Sequence, residues 1–292
     1  MAVAENRVSF KNLEEYVTFR QYRVFRQRWM PSDGAITHAF FVVHGVHEHS
    51  SRYAHLAPQI VNARGALFSL DLPGHGRTTG GKVAIINDMN TEVVDLFMEY
   101  IREVTAPGTP LAGVPFFVLG HSMGGCIAPL ISRRCRDNHS FRGLILSNPV
   151  VDLAEKGVAL KFIRVLSACL PRIPTQGVAP KWLCTDPKVV SNYVQDSLNN
   201  HRAIRARTAN AMLRATVEIG QNIAQDTFPV LVLVAPNDHV VDARGTIRYF
   251  GRCPSADKQM RQYPALLHEL LNEPQGPAIL GEILEWARQH IN

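Results

Sequence analysis

One serine in this chain stands between glycines, in the run Gly120-His121-Ser122-Met123-Gly124, and a further glycine, Gly125, follows. A hydroxyl is a poor nucleophile at neutral pH. It becomes a useful one when an imidazole takes its proton and an acid orients that imidazole. The G-x-S-x-G spacing suits such a serine for a steric reason. Where a strand turns abruptly into a helix, the residue at the apex takes strained backbone angles, and only glycines fit two places before and after it. The turn then pushes the serine oxygen off the carboxyl edge of a sheet, where a base can reach it. The flanking sequence agrees, because the apolar run 116–119 ends just before the motif and a helix-like stretch, 126–135, begins just after it.

The partners of such a serine follow it in the chain, acid first and then base. Three histidines lie far enough along: His239, His268 and His290. His290 sits two residues from the end, on a final helix-like segment. His239 adjoins the candidate acid and competes with it for the same turn. His268 follows a strand-like approach, 260–267, and precedes the last helix, so it is the base by elimination. For the acid, Asp238 follows PVLVLVAPN, the most strand-like run in the chain, and Asp242 four residues on is the fallback. A helix N-cap or an Asx turn is the other use of an aspartate there.

Attack on a carbonyl creates an oxyanion that needs positioned N–H donors. Met123, just after the serine, offers one. The second is assigned to Val46, in the loop His44-Gly45-Val46-His47-Glu48-His49 that follows the apolar run 39–43. Three histidines in that loop also suggest a metal. No acidic or thiol cluster recurs nearby in sequence, and serine chemistry needs none, so neither a metal nor a cofactor is expected.

These residues must be positioned by a sheet. Short apolar runs at 39–43, 66–70, 115–119, 143–146 and 229–235 alternate with helix-like segments at 56–63, 92–104 and 126–135. That alternation predicts βαβ units and a mostly parallel central sheet with helices on both faces. Residues 15–29 are aromatic and β-branched and predict one or two antiparallel strands at a sheet edge. The last segment, 274–290, places Ile279, Ile283, Leu284 and Trp286 on one helical face. One region breaks the pattern. Between 151 and 226 roughly 75 residues intervene before the next strand, too many for a plain loop. This stretch is read as a helical cap inserted into an α/β core made of 1–150 and 227–292. Its segment 158–170, VALKFIRVLSACL, is strongly apolar and carries or adjoins Lys156, Lys161, Arg164 and Arg172.

Composition sets the outer limits. The chain has 292 residues, 46% hydrophobic and 19% charged, which supports a sizeable core and excludes wholesale disorder. It contains no apolar run of the roughly 18–20 residues that span a bilayer. The first ten residues, with Glu5 and Arg7, form no signal-peptide core. Five widely spaced cysteines read as reduced thiols. The expected setting is the cytoplasm. The net charge of +6 is spread over short groups such as Arg133, Arg134 and Arg136, which read as solvated helix faces, and no nucleic-acid partner is expected.

Taken together, HGVHEHSSRY (44–53), DLPGHGRT (71–78), GHSMGG (120–125), PND (236–238) and HELLNEP (268–274) resemble the monoglyceride lipase and lysophospholipase branch of the α/β-hydrolases. The resemblance covers nearly the whole chain in order. It implies an α/β-hydrolase fold and a triad of Ser122, Asp238 and His268 with Val46 and Met123 as oxyanion donors. It also implies a lipid ester substrate, and a cap whose apolar helix, here Val158 to Leu170, touches membranes peripherally and opens over an acyl tunnel. By position, Glu48, Arg52 and Tyr193 would lie at the end that binds the glycerol head group. Two departures sit near that end: Leu271 and Val241 stand where some monoglyceride lipases carry histidine and cysteine. The H-G-G-P-G loop of proline-type aminopeptidases is absent, and Ser122 separates the chain from relatives with an aspartate nucleophile. The expected activity is hydrolysis of long-chain monoacylglycerols to fatty acid and glycerol through an acyl-enzyme. A lysophospholipase or general carboxylesterase is the alternative within enzymes, and a non-catalytic binding module the alternative outside them.

Overall fold

The structure, a computed structural model, describes residues 9–153, 167, 170–175 and 177–291. Its eight strands form one sheet in the order β1-β2-β4-β3-β5-β6-β7-β8. The expected edge strands are a long antiparallel hairpin, β1 (Phe10–Phe19) and β2 (Tyr22–Pro31). β2 pairs antiparallel with β4 (Gly65–Leu70), and every other pairing is parallel. The parallel set is completed by β3 (His38–Val43), β5 (Phe116–His121), β6 (Phe141–Ser147), β7 (Val230–Val234) and β8 (Lys258–Gln262).

The apolar runs are continuous because these strands are covered on both faces. In β3, Phe41 and Val43 enter one core while Phe40 and Val42 enter the other. The first core is closed by α2 (Asp95–Val104) and α3 (Ala128–Cys135), the second by α1 (Ala57–Asn62) and the final helix. In that final helix Trp286 is fully buried, with its ring 5.6 Å from that of Phe117.

Several expected helices begin differently. Residues 50–56 form a 3-10 turn ahead of α1, and 90–94 a wider π turn ahead of α2. Ser122–Cys126 is likewise a 3-10 turn, and α3 proper opens at Ala128 with Pro129 in its first turn, where a missing N–H costs nothing. The strand-like stretch 260–267 is strand only to Gln262, since Pro264 lacks the N–H a ladder needs. Between β6 and β7 lie α4 (Pro187–Gln195) and α5 (Ala206–Gln221). Apart from Ser167 and Leu170, the apolar segment 158–170 lies outside the described residues. A helix with no counterpart in the sequence reading, α6 (Ala243–Arg252), follows β7, and α7 (Gly276–His290) ends the fold. No described helix is long and apolar enough to cross a membrane.

The parallel strands all end on the same edge. The loops leaving β3, β5, β6, β7 and β8 there carry Val46, Ser122, Asn148, Asp238 and His268.

Candidate active site

Ser122 sits at the apex of the turn from β5 into the 3-10 helix, with φ at +52°, a left-handed backbone that a residue with a Cβ rarely adopts. The glycines around it are required by contact. A Cβ on Gly120 would stand 2.6 Å from the Ala128 Cβ, and one on Gly124 would strike the Val43 carbonyl. The local chain therefore leaves one shape for this turn.

Asp238 and His268 are in direct contact. His268 Nδ1 lies 2.7 Å from Asp238 Oδ2, and the two side chains are 3% and 1% exposed. The other carboxylate oxygen accepts from the Val240 and Val241 N–H groups at 2.7 and 3.1 Å. With Nδ1–H given to Asp238, His268 Nε2 carries the lone pair. Ser122 and His268 line one cavity together, with no hydrogen bond between them. The fallback acid is elsewhere. Asp242 caps α6 by accepting from Arg244 N, and the Arg244 side chain holds its carboxyl down at about 2. The rejected histidines also have other partners. His239 packs against the Trp182 ring with centroids 3.9 Å apart, and His290 lies 2.8 Å from Asp257.

The loop after β3 runs close beside the serine, and a Cβ on Gly45 would lie 3.1 Å from that of Ser122. Val46 lines the same cavity, and its N–H meets no acceptor among the described residues. Met123 is fully buried in the first turn of the 3-10 helix, where N–H groups have no intrahelical acceptor. Two histidines of the loop, His44 and His49, turn to separate partners. His44 Nε2 accepts from Leu72 N at 3.0 Å, and His49 Nε2 lies 2.8 Å from Asp196. Among the described residues no group of three or more His, Cys, Asp or Glu side chains could hold a metal ion.

Glu48, Arg52 and Tyr193 come together as well. Glu48 Oε1 accepts from Gly45 N and the Tyr53 hydroxyl at 2.5 and 2.8 Å, and Oε2 accepts from Arg52 Nη1 at 3.1 Å. Burial works against the Glu48 charge, but the adjacent guanidinium holds its carboxyl at about 2. The Arg52 guanidinium lies 4.8 Å from the centroid of the buried Tyr193 ring. Glu48 and Tyr193 line the cavity, while Arg52 braces it from behind.

Glu269, absent from the sequence reading, lines the cavity next to the base and takes both Arg52 nitrogens, one at 2.7 Å. Its HELLNEP setting marks the loop but not the partner, which lies 217 residues away. His121 and Val240 also line the site. Burial, followed by the nearby His268, lowers the pKa of His121.

Comparisons with known proteins give the family of the chain. The profile of the serine aminopeptidase S33 hydrolases matches residues 34–275. A monoacylglycerol lipase of Mycolicibacterium smegmatis is 32% identical over 86% of this chain and 88% of its own. The monoglyceride lipase of Rattus norvegicus is 30% identical over 97% of this chain and 93% of its own. In three dimensions, a soluble variant of the Saccharomyces cerevisiae monoglyceride lipase superposes with a TM-score of 0.79 at 22% identity, covering 94% of each chain, and shares the fold. The chain belongs to the S33 hydrolase family, as a serine carboxylic-ester hydrolase of the monoglyceride lipase-like α/β-hydrolase type.

Proposed function

We propose that this enzyme cleaves the ester bond of long-chain monoacylglycerols, with Ser122 as nucleophile, His268 as base and Asp238 as the acid that orients it. The observation that carries this reading is the buried Asp238–His268 pair, 2.7 Å apart, on the cavity that also holds Ser122. His268 Nε2 takes the Ser122 proton as Oγ attacks the ester carbonyl. The oxyanion is met by the Val46 and Met123 N–H groups. Collapse expels glycerol, protonated by the imidazolium, and leaves an acyl-enzyme. Water, deprotonated by His268, repeats the attack and releases the fatty acid.

A neutral head group is favoured by charge. Among the described residues lining the cavity are two carboxylates, Glu48 and Glu269, and no lysine or arginine. Arg52 behind them offsets one of the two charges, so a phosphate would meet a net negative cluster, and like charges at close range are costly where water is scarce. The relatives named as monoglyceride lipases support the same substrate. The test is a panel of 2-monooleoylglycerol, lysophosphatidylcholine and a short nitrophenyl ester, run with Ser122→Ala as control. Preference for the neutral lipid is expected, and preference for the lysophospholipid would overturn the assignment.

The same reading gives the chain a peripheral contact with lipid surfaces through the cap segment 158–170, whose Lys161 and Arg164, with Lys156 and Arg172 alongside in sequence, suit anionic lipid. Paired apolar-to-Glu changes there should weaken liposome binding more than short-ester turnover. Equal loss of both would mark the segment as core.

A further inference from the structure

Asn148 follows the last residue of β6 with φ at +40°, in the left-handed region that asparagine tolerates better than most residues. It is 2% exposed, and every polar group of its amide is used. Oδ1 accepts from Ala235 N at 2.7 Å, just past the end of β7. Nδ2 donates to the His268 carbonyl at 2.7 Å and the Leu267 carbonyl at 3.1 Å. Its backbone N–H donates to Leu233 O at 2.9 Å, and Asp238 N–H in turn donates to Ala235 O at 3.1 Å. One side chain therefore grips the strand exit that leads to Asp238 and the peptide that carries His268. Those two segments belong to different loops, which meet directly through the Asp238–His268 hydrogen bond and through Asn237 Nδ2, which donates to the Pro264 carbonyl at 2.9 Å.

We propose that Asn148 is a positioning residue for the hydrolysis: it sets the separation of Asp238 and His268 from behind, through backbone groups. The inference rests on the triad reading above. The bonding pattern requires an amide, since the position needs one acceptor toward β7 and two donors toward the base loop. Aspartate has the shape without the donors. Glutamine is one carbon too long, and serine is too short to span both segments.

The test compares Asn148→Gly, which keeps the backbone angle and loses the grip, with Asn148→Asp, which keeps the shape and turns an oxygen toward two carbonyls. Ser122→Ala runs in the same short-ester assay, and all rates are taken per folded molecule. A misplacement near 1 Å costs on the order of 100-fold, so kcat should fall roughly 10- to 100-fold in both variants. KM should stay within about twofold, because no substrate contact is removed. For Asn148→Gly the acid limb of the kcat/KM profile should move to lower pH, as the imidazolium formed in the reaction loses part of its carboxylate support. Asn148→Asp keeps the kcat arm readable should the glycine variant fold poorly. A lower urea midpoint with wild-type kcat and an unmoved acid limb would overturn the positioning role. In that case, abolished activity in Ser122→Ala leaves the triad standing, whereas activity surviving in Ser122→Ala overturns the triad itself.

Discussion

Arg52 and Glu269 stand 217 residues apart in the chain and meet through two hydrogen bonds in a buried ion pair beside the His268 loop. Arg52 also reaches Glu48, on the loop that runs past Ser122, so one guanidinium ties the proposed oxyanion loop to the base loop. The Arg52 side chain is only 9% exposed, and its two carboxylate partners 3% and 4%. The planar fork of arginine suits this bidentate role in a way the point charge of lysine does not.

Removing that cation strands two buried carboxylates. Arg52→Met should cost about 3–5 kcal/mol of unfolding free energy, the usual range when one partner of a buried pair is lost. Arg52→Lys should fall between the wild type and Met. Urea unfolding measures both, and a loss below about 1 kcal/mol for Met would show that the ion pair does not hold these loops together.

The two candidate acids can be separated by substitution. Asp238→Asn should lower kcat about 10,000-fold by disturbing the histidine it orients. Asp242→Ala should leave kcat alone and cost about 0.5–2 kcal/mol of stability as a lost helix cap. The reverse pattern would transfer the acid role to Asp242.

Ser122 offers a trade between activity and stability. Its left-handed backbone costs about 1–2 kcal/mol, which glycine does not incur. Ser122→Gly should abolish ester hydrolysis and raise stability, by about 1 kcal/mol once the greater freedom of glycine in the unfolded chain is counted. A melting temperature at or below wild type would argue that the turn is not strained.

Acid should loosen the fold well above the carboxylate range. Burial holds His38 and His47 near 4, and His75 near 3. Each lies below the ordinary value of 6.5, so the unfolded chain binds protons that the folded one refuses. The stability from keeping these rings neutral is fully present above pH 6.5 and is lost as pH falls toward 4. At about 1.4 kcal/mol per pH unit for each group, the slope in that window approaches about 4 kcal/mol per unit. His38→Leu should remove about a third of it. Urea midpoints from pH 7 to 4.5 that stay level would contradict this account.

Much of the architecture and the choice of candidate residues could be read from the chain alone, because both rest on short-range rules. Continuous apolar runs mark strands covered on both faces. The steric limits of a sharp strand-to-helix turn single out Ser122 from its immediate neighbours. The positions of Asp238 and His268 follow from which strand ends come after that turn. The part that stayed hidden is long-range. Nothing near Arg52 points to Glu269, and nothing near Asn148 points to the His268 carbonyl or to Ala235. Those partners depend on the sheet order, which sets β5 between β3 and β6 and lays β7 and β8 alongside. Once that order gathers the loops on one edge, buried charges and amide groups must find partners there, since leaving them unpaired in a dry interior is costly. Local sequence decides which residues are able to react, and the tertiary structure decides which distant side chains hold them in register.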